Sequence, residues 1–521
     1  ERAGNRIMAA GGARAVFDEF AALPAEPPDV APWLARLAAS TGASDPFGEQ
    51  GVEGARVFAL ALDAADPLSA MRHQFHIPKA RDDAATDSVY LTGHSLGLQP
   101  ISTAAAVQAE LDKWAARGVA GHFEGDLPWA SCEEKLVDLL GELVGARNPQ
   151  LEVAGMNSLT VNLHFLMAAF YRPVAGRAGI LIEAGAFPSD RYAVASQIAH
   201  HGFDPAEWMV EVQPDQGTGL LTTEAITEAI ARHEGRLALV LLGGVNYLTG
   251  QVHEMQLIAS FVAELNATRR SPSGIPPLLL GYDLAHAAGN VPLQLHDWGV
   301  DFAAWCTYKY LNAGAGCLGA IFVHERHATD SDTYPRLAGW WGVPHAPGPR
   351  FEMRHAFEPS PGAPGFGVSN VNPLMVACLR ASLRTLAAAG GMRAARSKSM
   401  LLTGFLERRL HASGLTTPRK ATGSLPSRCG VAIITPANAT RRGCQLSLRV
   451  LPPPGGFGGP GAVGAMRHLE SQLEKRGAVT DAREPDIVRA APVPLYNSFE
   501  DVALFVERLG EALVELAAPG V

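Results

Sequence analysis

Between residues 179 and 325, short apolar runs alternate with stretches that carry the spacing of amphipathic helices, and no other feature constrains the fold so strongly. The runs are GILIEA (179–184), LALVLLGG (237–244), PPLLLGYD (276–283), DFAAWC (301–306) and CLGAIFVHE (317–325). Between them, segments such as TTEAITEAIARHEG place apolar residues every three to four positions. Continuous apolar runs suit strands covered on both faces, so the alternation predicts an α/β fold with a mostly parallel sheet.

The pattern changes from about Asn370. Two long helical stretches are followed by VAIITP and CQLSLRVL, then by helices around Glu470 and Val502, which predicts a smaller α+β domain. At 521 residues the chain is too long for one average domain. The expected division is a flexible extension over 1–28, a segment over 29–89 packing with the small domain, a large domain over 90–360 and the small domain over 361–521. Acids at Asp18 and Glu19 favour a flexible extension over a transit segment. Ser131 followed by Glu134 has the pattern of a capping box opening the next helix. The Pro/Gly-rich stretches 416–430 and 451–464 are expected to be surface loops.

Charge and cysteine usage exclude several functions. Lys plus Arg total 43 against 52 Asp plus Glu, a net charge of −9, and no basic run is present, so nucleic acid is not an expected partner. The six cysteines lack CxxC pairing, which predicts reduced thiols in a cytoplasmic protein, with neither a disulfide framework nor a metal site. The longest apolar stretch, near Leu237 to Leu248, is too short to cross a bilayer.

Lys309 lies in WCTYKYLNAGAG, beside an apolar run and before a turn of small residues. A lysine in apolar surroundings needs a partner, because losing its hydration costs several kcal/mol. Asp283 ends an upstream run, and the carboxyl edge of a parallel sheet is where ligands bind. Lysine and aspartate so placed form an ion pair or a snorkelling lysine, or else the protein side of pyridoxal phosphate chemistry, in which the amine is consumed covalently and the acid keeps a ring nitrogen protonated. Ser158 and Thr160 open an apolar helix, as a simple N-cap or as a phosphate cradle. AFPSD (186–190) adds Phe187, able to stack on a flat ring, with Ser189 and Asp190 beside it. Together the three stretches favour a cofactor site.

From about residue 70 onward the sequence resembles kynureninase, a pyridoxal phosphate-dependent family of the aspartate aminotransferase fold (fold type I). The resemblance rests on YLTGHSLGLQP (90–100), MNSLTVNLH (156–164), AFPSDRYA (186–193), DLAHAAGNVPLQLHDWGVDFAAWCTYKYLNAGAG (283–316), LAGWWG (337–342), GFGVSN (365–370), RRGCQL (441–446) and APVPLYNSFED (491–501). It implies cleavage of the Cβ–Cγ bond of L-kynurenine or 3-hydroxykynurenine by water, in tryptophan catabolism and NAD biosynthesis, by a homodimer whose subunits share each active site. Lys309 would carry the cofactor and move the Cα proton. Asp283 would pair with the ring nitrogen, supported by Asp190 and His286, and Phe187 would stack on the ring. Leu159 through its N–H, Thr160, Ser189, Tyr308 and Trp340 would surround the phosphate. Arg489 would clamp the substrate carboxylate, and His122 and Asn370 would meet its aryl ketone, with Trp340 and Asn370 coming from the neighbouring subunit.

The resemblance also brings departures. Gly243 stands where the family usually has serine, and Leu248 where it has a tyrosine that serves as phosphate ligand and proton donor. Leucine can do neither, which keeps two alternatives open: a kynureninase-like paralogue of reduced or altered activity, and another pyridoxal phosphate lyase such as a cysteine desulfurase.

Overall fold

Seven strands build the large sheet: β1 (Val153–Met156), β2 (Gly179–Glu183), β3 (Met209–Val212), β4 (Leu237–Gly243), β5 (Leu279–Asp283), β6 (Phe302–Trp305) and β7 (Gly319–Val323). These come from the computed structural model, which describes residues 2–269, 276–344, 353, 355–416, 429–451 and 461–517. The strand order is β1-β7-β6-β5-β4-β2-β3. Strands β2 to β6 pair in parallel, while β7 runs antiparallel to both β6 and β1. Every residue of β2, β5, β6 and β7 is buried, as continuous apolar runs require when helices cover both faces.

Two compact units make up the chain. One holds the large sheet and comprises 102–246 and 253–384; the other comprises 1–101, 247–252 and 385–521. The division therefore falls at 101/102 and 384/385, not at the expected 89/90 and 360/361. Hydrogen bonds from the Ile101 N–H to the Gln74 carbonyl (2.8 Å) and from the His76 N–H to the Gln99 carbonyl (3.0 Å) tie 90–101 to the N-terminal segment. Within the sheet unit, Cys317 Sγ bonds the Met375 carbonyl at 3.4 Å and the Ser382 hydroxyl bonds the Leu311 carbonyl. Those contacts bind the first turns of the helix Pro373–Ala388 to the sheet.

The second unit contains an antiparallel sheet of β8 (Gly430–Ile433), β9 (Leu446–Leu451), β10 (Asp481–Arg483) and β11 (Ile487–Ala490), ordered β8-β9-β11-β10. Its N-terminal part is not a loose extension: Arg2–Ala21 is a helix whose Ala13, Val16, Phe17 and Phe20 are buried in the unit's core. That three-and-four spacing makes one apolar stripe, and Phe17 meets Phe499 edge-on at 5.9 Å. The stretches 417–428 and 452–460, most of the two expected surface loops, lie outside the described residues. Among the described residues no helix is long and apolar enough to cross a membrane.

Ser131 does not form a capping box. The chain enters a 3-10 turn at Cys132–Leu136 with no side-chain cap, and the Glu134 N–H bonds the Ser131 carbonyl at 3.1 Å instead. A capping box does exist at Ser498 and Asp501, opening the helix Phe499–Leu516.

The amino edge of the large sheet carries buried acids and histidines. Glu152, fully buried before β1, accepts four hydrogen bonds: Arg147 N–H at 2.8 Å, Asn148 N–H at 3.2 Å, Glu325 N–H at 3.0 Å and His296 Nδ1 at 2.7 Å. The His296 ring stacks on His324 at 4.5 Å, and His324 Nδ1 accepts the Arg326 N–H at 3.2 Å. Asp301, before β6, takes the Leu280 N–H at 2.7 Å, Arg326 at 2.6 Å and His327 at 2.7 Å. Burial works to raise Asp301, but His327 and Arg326 outweigh it and hold the carboxyl below its usual range.

Candidate active site

Strand ends and two helix starts converge at the opposite, carboxyl edge. Asp283 is the last residue of β5, and Lys309 lies just past the end of β6 in a tight turn. The Asn312 N–H bonds the Lys309 carbonyl at 3.0 Å, the Ala313 N–H bonds the Thr307 carbonyl at 3.1 Å, and Asn312 takes the left-handed conformation (φ 56°). This turn projects the lysine back over the sheet. Lys309 is half-buried, not enclosed. Its Nζ stands 3.0 Å from His286 Nε2, with the Phe187 and Tyr308 ring centroids at 5.9 and 5.8 Å.

Below the amine lie two acids. Asp283 accepts the Ala285 N–H at 2.7 Å and hydrogen-bonds to the Asp190 side chain. Burial pushes both carboxyls up. Asp190 goes well above the carboxylate range, since the Asp283 charge adds to its desolvation, while Ala285 and Lys309 pull Asp283 back. Of the two, Asp190 is pushed up further, which makes it the better holder of a proton shared with Asp283. Beside Lys309, burial raises the Tyr308 hydroxyl, so it keeps its proton at neutral pH.

A polar cradle forms where the helices α1 (Leu159–Phe170) and α2 (Pro188–His200) begin. Asn157 turns the chain out of β1 in the left-handed conformation (φ 49°), and its side chain bonds Asn162 at 3.0 Å. No side-chain cap closes the start of either helix. The Thr160 and Ser189 hydroxyls, one from each first turn, meet at 2.8 Å. Uncapped N–H groups and paired hydroxyls at two helix starts are a donor set suited to a phosphate.

The structure thus brings together Lys309, Asp283, His286, Asp190, Phe187 and Tyr308, with Leu159, Thr160 and Ser189 at the helix starts. Three other sequence candidates, His122, Trp340 and Asn370, belong to the same unit. His122 Nδ1 bonds the Val119 carbonyl at 3.1 Å and its ring meets Trp129 edge-on at 5.4 Å. Trp340 is 44% exposed and Asn370 is exposed. Their segments are neighbours, for a Cβ on Gly339 would collide with the Val368 backbone.

Arg489 belongs to the second unit, on β11, opposite Ser447 of β9 and Asp481 of β10. It is 1% exposed, pairs with Asp481 at 2.8 Å and donates to the Tyr247 carbonyl at 2.7 Å and to the Ser95 hydroxyl at 3.2 Å. The neighbouring Leu248 carbonyl accepts from the Ser447 hydroxyl at 2.5 Å and from Gln445 at 3.4 Å.

The chain is similar to proteins of known identity. The kynureninase of Xanthomonas euvesicatoria pv. vesicatoria is 49% identical over 454 residues, covering 87% of this chain and 97% of that protein. The chain belongs to the kynureninase family. The family's C-terminal domain model matches residues 395–509, and the kynureninase of Xanthomonas axonopodis pv. citri is 48% identical over the same shares of both chains. Among solved structures, the cysteine desulfurase CsdA of Escherichia coli aligns with a TM-score of 0.63 at 17% identity, over 87% of this chain and 99% of that one. A mutant of C-DES, solved with glycine covalently linked to the PLP cofactor, aligns at 0.60 and 19% identity, over 86% and 98%. At those identities the structures establish the shared fold, and the fold type I expectation holds.

The sequence reading overlooked three residues of this edge: Glu183, Asn246 and His253. Glu183 ends β2 as Asp283 ends β5, so the same signal, an acid closing an apolar run, was present in GILIEA.

Proposed function

We propose that this chain is a pyridoxal 5′-phosphate-dependent hydrolase of C–C bonds, a kynureninase that cleaves L-kynurenine or 3-hydroxykynurenine to the corresponding anthranilate and L-alanine. The observation that carries the reading is the Lys309 amine, 3.0 Å from His286, above the Asp283–Asp190 pair in a chain of this family. The residues present fit the cofactor: an amine for its aldehyde, a carboxylate for its ring nitrogen, an aromatic face, and two uncapped helix starts for its phosphate.

When bound, pyridoxal phosphate supplies an electron sink for charge developing on the substrate. Lys309 holds the cofactor and moves the proton at the substrate Cα. Asp283, whose ionised form the Ala285 N–H and a proton on Asp190 favour, holds the ring-nitrogen proton, and His286 orients the amine. Phe187 covers a ring face. Leu159 N–H, Thr160 and Ser189 bind the phosphate, joined by Tyr308, whose retained proton makes it the hydroxyl beside Lys309 able to donate to the departing group. Leu248 lacks that capacity. The planar fork of Arg489 is of the kind suited to a substrate carboxylate, and His122 serves the aryl end.

Trp340 and Asn370, exposed on adjoining segments, are suited to reaching a second copy's site, which supports a homodimer; mixing Lys309→Ala and Asn370→Ala chains and recovering activity tests it. A cytoplasmic setting accords with six free cysteines, five buried and Cys378 half-buried. The same thiols disfavour the desulfurase alternative, which needs an exposed nucleophilic cysteine. Adding kynurenine to the cofactor-loaded protein and following anthranilate fluorescence tests the function. Bound cofactor with no product overturns it.

A further inference from the structure

Glu183 takes no part in the steps above, yet it is 6% exposed at the carboxyl end of β2. Its side chain leans over β4. Oε2 accepts from Asn246 Nδ2 at 3.0 Å and His253 Nε2 at 3.2 Å, and the Gly243 N–H bonds the carboxylate as well. A Cβ on Gly243 would stand 2.9 Å from Oε1, so the missing side chain there leaves room for the acid. Gly243 pairs in register with Asp283, and the Gly244 N–H bonds the Asp283 carbonyl at 2.8 Å. Adjacent strands lie about 4.8 Å apart, which puts the Glu183 carboxylate roughly one strand behind Asp283.

Burial works to raise Glu183, but His253, Asn246 and the Gly243 N–H outweigh it and keep the carboxyl below its usual range. Its charge in turn raises both Asp190 and Asp283. The titratable groups around the ring end are then Glu183 from β2, Asp190 from α2, Asp283 from β5, His286 from the loop after it, Lys309 from the turn after β6 with Tyr308 and Cys306 beside it, and His253 preceding the helix Met255–Arg269. Glu183, Asp190 and Asp283 act on one another, and the Lys309 amine acts on Asp190 and Asp283. Such a region favours a cation over a neutral ring, and a pyridine nitrogen becomes that cation by taking a proton.

We propose that Glu183 is a positioning residue for the cofactor's ring end: its fixed negative charge, one strand behind Asp283, holds a proton on the ring nitrogen. This rests on the pyridoxal phosphate reading. The test compares the parent with Glu183→Gln, nearly equal in size but uncharged, by fluorescence titration of cofactor-stripped protein with two probes. One is pyridoxal phosphate; the other is its analogue with the ring nitrogen replaced by carbon, which has nothing to protonate. Glu183→Gln weakens pyridoxal phosphate about tenfold, as expected for losing a charge at this distance, while the carbon analogue binds within about twofold of the parent. Equal weakening of both probes would mark Glu183 as merely structural and overturn the inference, as would no change in either. Should Glu183→Gln not fold, Gly243→Ser, which displaces the carboxylate from β4 without discharging it, carries the same comparison with a selective loss of about threefold, and equal effects on the two probes again defeat it. A parent protein that binds neither probe sinks the cofactor reading itself.

Discussion

The two edges of the large sheet are built from the same residue types and do opposite things with them. At the amino edge, Glu152 and Asp301 meet histidines, an arginine and backbone N–H groups, so that burial is outweighed and Asp301 stays ionised. At the carboxyl edge, Asp190 and Asp283 face each other and burial prevails, so a proton stays in the pair. Satisfied acids lock elements together, whereas acids set against one another hold a reserve of charge that a ligand can relieve. Location decides which arrangement serves chemistry: ligands reach the carboxyl edge of such sheets, and backbone donors crowd the amino edge here.

Substitutions at the two edges should therefore separate activity from stability. Lys309→Ala produces the largest effect, a fall in kynurenine cleavage of about a thousandfold or more at nearly unchanged urea midpoint; retention of even a tenth of the parent rate would break the assignment. Asp301→Asn does the reverse. It leaves Arg326 and His327 without their acid and costs about 3 kcal/mol in urea unfolding, with kcat within about twofold of the parent. Asp283→Asn returns to the carboxyl edge: turnover drops about a hundredfold, while stability holds, since the carboxyl replaced was itself disfavoured by burial.

The smallest effect is a pH slope. Burial first, then Arg326 and His296, push His324 down to about 4. Its folded-state pKa lies below its unfolded value, so the unfolded chain binds more protons between about pH 6.5 and 4, and stability falls as pH drops through that window. His324→Asn keeps an acceptor for the Arg326 N–H but does not titrate. Unfolding midpoints of parent and variant should diverge there by about 2 kcal/mol, and parallel curves would contradict this account of the amino edge.

How much of this was legible depended on whether local sequence carried the cause. Strands β2, β4, β5, β6 and β7 were readable because burial on both faces writes itself as an unbroken apolar run. The edge strands β1 and β3, only partly buried along VAGM and MVEV, left no such trace. Lys309 and Asp283 were readable because charged residues beside apolar runs need a reason. The proton shared by Asp190 and Asp283 was not, for it arises from a side-chain encounter between residues far apart in the chain. Nor was the Asp481 partner of Arg489, which depends on the register of β10 and β11. The capping box at Ser498 follows the same local rule as the failed one at Ser131, where a 3-10 turn supplied a backbone carbonyl in place of the hydroxyl.

The central claim is that the amine of Lys309 carries the cofactor covalently. Borohydride reduction of the cofactor-loaded protein, followed by peptide mass mapping, reads this out. The account predicts a reduced pyridoxyl phosphate adduct on the peptide containing Lys309 and loss of the visible absorbance with it. An adduct confined to another lysine, or bound colour that borohydride leaves untouched, would contradict it.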